Sequence, residues 1–443
     1  MKNNTKKLII ISGIVGNFLE QYDIMICAFL AQTISLTFFP AASADKNLFN
    51  TFYIFLAGYL ARPLGSLLIG LYADQSGRKK ALIFSIVAIG IGTTVIGLIP
   101  SYKDLGILST GFFILFRILQ NLSAGGEYIS SLVYLTESAG KTKRGFYGSW
   151  VAFGVNSGTL IASLIVFVIL YYIDMKIIPG WSWRLIFLTA ILGMGIGLWI
   201  RCALPESIEF ILEHSSLKQS SKMEILKNSF QLFRVSPYHC LSIFAITWLG
   251  VSATIGFFVY IPIHLSTVNH ISKYFSYGIN TVSLFILIIF IPVFGVISDY
   301  FNRVNMLIAA TISLLILSLP AFWYFTYGNP MIVLFFKTLI SIPLACYFCI
   351  APVIISETFP LKIRCTSIAL IYQISASLSA GLTPIIMLYL AHISVAYSPG
   401  YFLTVSSIAG LMAVFFIKKS PLLYGDFNSL SNILEFLPQR AEI

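Results

Sequence analysis

The sequence predicts an all-α membrane protein whose twelve transmembrane helices form two pseudo-symmetric six-helix bundles. The first observation is composition: of 443 residues, 58% are hydrophobic and only 10% are charged, and the mean hydropathy is +0.88. Soluble globular chains do not have such values. The second observation is a set of charged motifs that occurs twice, and the third is the one-sided distribution of basic residues.

Apolar runs define the individual helices. A helix that crosses the hydrocarbon core needs about 20 predominantly apolar residues. Twelve runs meet this requirement, namely 8–39, 48–72, 81–100, 108–136, 147–173, 183–203, 239–262, 276–297, 306–326, 330–355, 367–392 and 399–417. The first run is long and carries Glu20 and Asp23, which indicates a retained helix and not a cleaved signal peptide.

A polar segment in the middle of the chain divides these runs into six and six. We therefore expect an N-terminal bundle at 1–203, a linker at 204–238, a C-terminal bundle at 239–418 and a tail at 419–443. The connections between runs are short, and the five histidines are scattered along the chain. A membrane enzyme would be expected to gather catalytic carboxylates or histidines in a larger loop.

Basic residues are concentrated on one side of the predicted membrane. The N-terminal tail, the even-numbered connections and the C-terminal tail hold 20 of the 28 Lys and Arg residues, whereas the odd-numbered connections hold five. By the positive-inside rule, both termini should be cytoplasmic. The net charge of +11 is therefore explained by topology, and nucleic-acid binding is not expected.

The repeated charged motifs lie at the ends of apolar runs on this basic side. The residues are Asp74, Arg78, Glu137 and Arg144 in the first half, and Asp299, Arg303, Glu357 and Arg364 in the second half. Parallel repeats of this kind are typical of two-halved secondary transporters. We expect the eight residues to form a cytoplasmic gate, with Arg144 as a candidate partner of Asp74.

Polar and charged residues inside the runs are costly in a bilayer and indicate functional sites. In the first helix, Asn17, Glu20 and Asp23 recur every three residues. In the fourth helix, spacings of three and four residues join Arg117, Gln120, Ser123, Glu127 and Ser131. Such spacings predict one polar stripe on each helix.

These residues suggest roles in proton and substrate binding. Asp23, Glu127 and Glu20 are the predicted proton carriers, because a desolvated carboxylate near a guanidinium can exchange a proton around neutral pH. The predicted substrate-binding residues are Arg117, Lys337, Asn17, Gln120, Trp248 and Tyr128. No cofactor beyond the coupling proton is expected.

Several of these assignments leave alternatives open. Lys337 can instead extend its side chain to the membrane interface. Trp248 can simply pack, because 15% of the chain is aromatic. Arg62 is predicted to be a structural charge that ties the second helix to a neighbour. Gly154 and Gly158, with the equivalent segment 375–381, are expected to line a close contact between the halves.

The same segments carry a family resemblance. The stretches 16–23 (GNFLEQYD), 62–65 (RPLG), 77–80 (GRKK), 125–128 (GGEY) and 144–150 (RGFYGSW) resemble the metabolite:proton symporter family of the major facilitator superfamily. Within it, 97–102 (GLIPSY) and 380–384 (AGLTP) are most similar to bacterial proline/betaine transporters. The resemblance implies twelve helices, alternating access, a site lined by helices 1, 4, 7 and 10, and proton-driven uptake through a bacterial inner membrane without an obligate protein partner.

Three features depart from that pattern. Gln21 stands where the family usually has Trp, Arg117 is more typical of dicarboxylate transporters, and the long C-terminal coiled coil of osmosensing members is not found. A proton-coupled symporter of 2-oxoglutarate or citrate is therefore the alternative substrate hypothesis. Alternatives of other classes are a membrane acyl- or glycosyltransferase and a transporter-like sensor that binds without moving its ligand.

Overall fold

The computed structural model describes most of the chain and is almost entirely helical there. The described residues are 3–40, 43–76, 78–124, 128, 131–132, 135, 143–203, 237–357, 364–393 and 397–419. Twelve long helices follow one another: α1 (Asn3–Phe29), α2 (Ala44–Ser76), α3 (Arg78–Leu98), α4 (Ile107–Ser123), α5 (Arg144–Asp174), α6 (Arg184–Ala203), α7 (Pro237–Thr267), α8 (Lys273–Tyr300), α9 (Arg303–Phe325), α10 (Pro330–Glu357), α11 (Arg364–Ile393) and α12 (Pro399–Lys419).

Most of these helices are long and apolar enough to cross a bilayer. In the described part of the chain, nine helices qualify outright, and α1 with its continuation Ala31–Phe38, bent by 60°, makes a tenth. Shorter apolar helices at Ile83–Leu98 and Ile107–Ser123 stand where the third and fourth spans were predicted. The structure therefore agrees with the predicted twelve-helix fold.

The helices of the two halves pack in the same pattern. In the first half, α1 packs against α5 and α6, and α4 against α2 and α3; in the second half, α7 packs against α11 and α12, and α10 against α8 and α9. Each pair thus has a counterpart six helices later. The halves meet along α5–α8 and along α2–α11, which are equivalent under the same shift.

Small residues do not all lie where the sequence suggested. A Cβ added to Gly154 would lie 2.7 Å from the carbonyl oxygen of Ile14, and one added to Gly158 would meet the backbone of Phe18. Both glycines therefore pack α5 against α1 inside the first half. The prediction that they line the contact between the halves is wrong, because helices within a bundle cross as closely as helices between bundles.

The equivalent segment of α11 packs against two different helices, α7 and α2. The Ser375 and Ser379 hydroxyls donate to the carbonyl oxygens of Phe244 and Trp248 in α7, at 2.7 and 3.0 Å, within the second half. Gly381 instead faces the first half, where a Cβ would lie 2.9 Å from the Cα of Leu56 in α2. Gly381 therefore behaves as predicted, whereas Ser375 and Ser379 do not.

The two ends of the bundle are named by the charge of the connections that the sequence predicts there. We call the end at which α8 ends and α9 begins the basic end, because the connections predicted to be rich in Lys and Arg lie there; the other end is the opposite end.

Residues 204–236 of the predicted linker and 420–443 of the predicted tail fall outside the described residues.

Candidate functional site

A cavity lies between the two halves. The first half contributes α1, α2, α5 and Tyr128, and the second half contributes α7, α10 and α11. From α1, the residues that face it are Asn17, Glu20, Gln21, Ile24 and Met25. This spacing of three and four residues is that of one helix face. The cavity is therefore shared by both bundles.

Four of the residues singled out in the sequence line this cavity: Asn17, Glu20, Arg62 and Tyr128. Asn17 also donates from Nδ2 to the Ser131 hydroxyl at 2.7 Å, which joins the predicted stripes of the first and fourth helices. Glu20 and Arg62 are the charged residues among the described lining. The cavity thus offers one anionic and one cationic side chain.

Arg62 is held at the cavity wall by α4 and by its own helix. Its Nε donates to Asn121 Oδ1 at 2.8 Å, and its Cζ lies 4.6 Å from the ring centroid of Tyr59. The predicted tie to a neighbouring helix is present. Its Nη2 is buried and has no hydrogen-bond partner among the described residues.

Arg117 and Gln120 lie behind the cavity wall. Arg117 is 0% exposed and donates from Nη1 to Gln120 Oε1 at 2.6 Å. Gln120 in turn donates to the Thr93 hydroxyl at 2.6 Å and to the carbonyl oxygen of Asp23 at 3.3 Å. These side chains form a network between α3, α4 and α1 and do not line the cavity in this conformation.

Asp23 shares the sequence spacing of Asn17 and Glu20 but not their position. Three residues advance a helix by 300°, so each such step turns the stripe by about 60° from its start. After two such steps, Asp23 has turned away from the cavity. It lies instead beside Gln120 of α4, buried at 7% exposure. The predicted single stripe is therefore divided: Asn17 and Glu20 face the cavity, whereas Asp23 faces α4.

Lys337 contacts neither the cavity nor the membrane interface. It is 1% exposed, and its Nζ donates to Asn280 Oδ1 of α8 at 2.5 Å and lies 5.6 Å from the ring of Phe258. Asn280 donates onward to the Ser163 hydroxyl of α5 at 3.2 Å. Lys337 therefore lies at the α5–α8 contact and does not line the cavity in this conformation, and its role in substrate binding stays a prediction. Its burial contradicts the alternative in which it extends to the membrane interface.

Trp248 also points away from the cavity. Its Nε1 donates to the Ser406 hydroxyl of α12 at 3.3 Å, and its ring packs against Phe244 and Phe402. In this conformation the ring of Trp248 packs between helices, and its role in substrate binding stays a prediction. Glu127 falls outside the described residues.

Sequence reasoning missed much of the cavity lining. Tyr59, Asn156, Tyr347, Tyr372 and Gln373 line the cavity but were not singled out. The rings of Tyr128 and Tyr372, from opposite halves, stack with centroids 5.0 Å apart. Polar residues inside apolar runs carried a usable signal for Asn156 and Gln373, whereas tyrosines are too common here to stand out.

At the basic end, Asp299 joins the halves. Its two carboxylate oxygens accept the backbone N–H groups of Gly145 and Phe146 at 2.8 and 3.0 Å, at the start of α5. Arg303 donates to the same carboxylate at 3.0 Å. A carboxylate at a helix N-terminus is favoured by the helix dipole. The second copy of the predicted gate thus contacts the helix that begins at Arg144.

The other predicted gate pairings cannot be followed. The side chains of Asp74, Arg78, Glu357 and Arg364, and residue Glu137, are outside the part of the chain that the structure describes.

At the opposite end, an ion pair joins α2 and α11. His392 Nε2 lies 3.1 Å from Asp45 Oδ2, and His392 Nδ1 lies 2.9 Å from the carbonyl oxygen of Leu388. Both partners are acceptors, so both ring nitrogens carry a proton in this arrangement. Ser266 also donates to Gln32 Oε1 across the halves at 3.3 Å. The described residues therefore join the two halves at both ends of the bundle.

Comparison with known proteins identifies the family. The model of the Major Facilitator Superfamily matches residues 24–371, which is most of the chain. The chain belongs to the major facilitator superfamily. The predicted fold and family are thereby confirmed, and this major facilitator protein is a membrane transporter.

Curated relatives of this major facilitator protein align along nearly its whole length. A glycine betaine/proline/ectoine/pipecolic acid transporter of Dickeya dadantii is 29% identical over 93% of this chain and 83% of its own. A proline/betaine transporter of Salmonella typhimurium is 31% identical over 92% and 82%. A citrate-proton symporter of Klebsiella pneumoniae is 30% identical over 91% and 90%.

A solved structure agrees with the fold. A D-xylose-proton symporter superimposes with a TM-score of 0.72 at 18% identity, covering 95% of this chain and 99% of the other. At this identity, the likeness concerns the architecture of the two bundles.

Proposed function

We propose that this major facilitator protein takes up a small zwitterion, such as proline or betaine, together with protons. It acts in the cell (inner) membrane of a bacterium, with the basic end and both termini in the cytoplasm. The observation that carries the proposal is the presence of one carboxylate, Glu20, and one guanidinium, Arg62, in a cavity shared by both halves. Relatives named as proline/betaine transporters support the substrate class.

The cavity matches a ligand that carries one charge of each sign. The unpartnered Nη2 of Arg62 is suited to a carboxylate, since a guanidinium binds carboxylates through directed N–H groups. The tyrosine rings at positions 128, 347 and 372 also line the cavity, and aromatic rings attract a substituted ammonium group. A ligand with several negative charges would meet one cation and one anion among the described lining residues.

Proton coupling follows from competition for Arg62. The charge of Glu20 acts on Arg62, so an ionised Glu20 offsets the guanidinium that the substrate carboxylate needs. A proton on Glu20 removes this competition, and the substrate then binds. In this proposal, proton and substrate enter the cavity together and leave together. Asp23 and Glu127 are the further proton carriers of the proposal.

Alternating access follows from rocking of the two halves around the cavity. The Asp299 contact with the start of α5 closes the cytoplasmic end, and the Asp45–His392 pair closes the outer end. Each contact breaks when its own end opens. The remaining predicted gate residues belong to the cytoplasmic closure.

A citrate or 2-oxoglutarate symporter is the second candidate, because relatives named for citrate and α-ketoglutarate are 30% and 27% identical. Such a substrate needs more than one cation in the cavity. Arg117 and Lys337 are both buried away from it. The geometry therefore favours the zwitterion.

Uptake by proteoliposomes tests the proposal. Purified protein is reconstituted, a pH gradient acid outside is imposed, and uptake of radiolabelled betaine and proline is compared with that of citrate and 2-oxoglutarate. We expect gradient-stimulated uptake of the zwitterions, and inhibition of it by unlabelled betaine. Preferential uptake of citrate or 2-oxoglutarate would support the second candidate, and binding without counterflow would indicate a sensor.

A further inference from the structure

Two arginines share one tyrosine ring. The Cζ of Arg62 lies 4.6 Å and the Cζ of Arg117 5.6 Å from the ring centroid of Tyr59. Both distances are within the range of a cation–π contact. Two cations so close to one ring repel each other, and the negative electrostatic potential of the ring face offsets part of this repulsion.

The two guanidiniums nevertheless have different surroundings. Arg62 lines the cavity, whereas Arg117 is 0% exposed and is covered by the ring of Phe55, whose centroid lies 4.6 Å from its Cζ. Tyr59 lines the cavity and is itself 2% exposed. The ring of Tyr59 therefore belongs to the wall that separates Arg117 from the cavity.

Hydrogen bonding does not fully hold either guanidinium. Arg62 Nη2, Arg117 Nε and Arg117 Nη2 are buried and have no hydrogen-bond partner among the described residues. Buried N–H groups without a partner are costly, especially on a charged side chain. The aromatic faces are the compensation that the structure offers, and among the described residues Tyr59 is the one ring in cation–π contact with both arginines.

We propose that Tyr59 is a positioning residue that holds the two arginines in different surroundings with different functions. It holds Arg62 toward the cavity for the substrate carboxylate, and it keeps Arg117 behind the wall for the network of Gln120 and Asp23. The inference rests on the proposed function, because it takes the substrate to be a carboxylate and protons to be the coupling ion.

Loss of the ring has two consequences. Arg62 loses a support for its position, so the substrate binds less well. Arg117 becomes accessible from the cavity, so the substrate carboxylate competes for its bond to Gln120, which in turn holds the backbone of α1 at Asp23. Transport then becomes less tightly coupled to protons.

The test compares Tyr59→Leu, which removes the ring, with Tyr59→Phe, which removes only the hydroxyl. Tyr53→Leu is the matched control, because Tyr53 lies on the same helix and is 53% exposed on the outer surface of the bundle. Each folded, reconstituted protein is assayed for betaine KM, kcat and protons moved per betaine. If Tyr59→Leu does not fold, Tyr59→Met replaces it.

We expect Tyr59→Leu to raise KM roughly tenfold, the scale of one desolvated cation–π contact, and to lower the proton-to-betaine ratio. Tyr53→Leu should retain the wild-type KM and ratio, and Tyr59→Phe should be clearly less impaired than Tyr59→Leu. A Tyr59→Leu protein with wild-type KM and ratio, or a Tyr59→Phe protein as impaired as Tyr59→Leu, overturns the inference. If the wild type itself moves betaine without protons, the proposed function fails, and the inference with it.

Discussion

Arg62 combines a structural tie with a position in the cavity. Its Nε donates to Asn121, its Cζ lies 4.6 Å from the ring centroid of Tyr59, and its Nη2 has no hydrogen-bond partner among the described residues. The planar fork of arginine makes this division possible, because its nitrogens point in fixed, different directions. A lysine at this position would have only one nitrogen, its ammonium group, with which to make these contacts.

Arg62→Lys should therefore weaken substrate binding while leaving the protein folded. The hydrogen bond to Asn121 and the free, directed N–H group cannot both be kept by an ammonium, and hydrogen bonds to charged groups are worth about 1.5–3 kcal/mol. We expect the betaine KM to rise about tenfold or more. The measurement is counterflow in proteoliposomes, which needs no gradient.

Arg184→Lys is the control for that substitution. Arg184 donates to the carbonyl oxygens of Gly97 and Ile99, at 2.9 and 2.5 Å, away from the cavity. Its substitution should leave the betaine KM unchanged. An unchanged KM in Arg62→Lys would show that Arg62 does not contact the substrate.

At the level of helices, the repeated motif makes a definite contact at the cytoplasmic end. Asp299 of α8 accepts two backbone N–H groups of α5 and one bond from Arg303. Asp299→Asn removes the charge and one acceptor oxygen, so we expect the cytoplasm-open population to rise about tenfold. The readout is the rate at which a cysteine at cavity position Ala376 reacts with an impermeant thiol reagent from the cytoplasmic side, in a Cys202→Ser background.

Asn305→Ala is the matched control at the same end. Asn305 accepts a hydrogen bond from Lys418 at 3.0 Å, within the second half, so its loss should not change the labelling rate. If Asp299→Asn labels at the wild-type rate, the contact with α5 does not hold this end closed.

The pair between α2 and α11 should act in the opposite direction. Asp45→Asn removes an ion pair whose partners are 58% and 40% exposed, and exposed pairs are worth about 0.2–1 kcal/mol. Labelling at Ala376 from the outer side should therefore rise by at most about fivefold. The effect should be larger at acidic external pH, because the pair needs a doubly protonated His392.

Lys46→Gln is the control, since Lys46 is the exposed neighbour of Asp45 on α2. A decrease in outer labelling in Asp45→Asn, or an equal increase in Lys46→Gln, would contradict a closing role for the pair.

Sequence patterns predicted the presence of the helices better than they predicted which side of each helix faces the cavity. The polar stripe of α1 correctly brought Asn17 and Glu20 to one face, but the stripe turns enough that Asp23 leaves it. In α7 and α10, apolar and aromatic residues surround the helix, so no periodicity marked the directions of Trp248 and Lys337. The π-helical segment Ile255–Tyr260, which brings Phe258 near Lys337, has no sequence signature either.

For the whole molecule, duplication was the most reliable guide. The repeated motifs and six-plus-six division anticipated two bundles whose helices pack in matching pairs. The helices that join the bundles, α2 with α11 and α5 with α8, could not be predicted, because small residues such as Gly154 and Gly381 serve contacts within and between bundles alike. The shared cavity appears only when both halves are assembled.

The most direct test of the whole account is proton movement driven by substrate. Proteoliposomes that enclose a pH-sensitive dye are given external betaine without an imposed gradient. The account predicts that the interior acidifies with wild-type protein, and that Glu20→Gln lowers the acidification per betaine moved while betaine counterflow persists. Betaine entry with no acidification by the wild type, or unchanged acidification by Glu20→Gln, would contradict it.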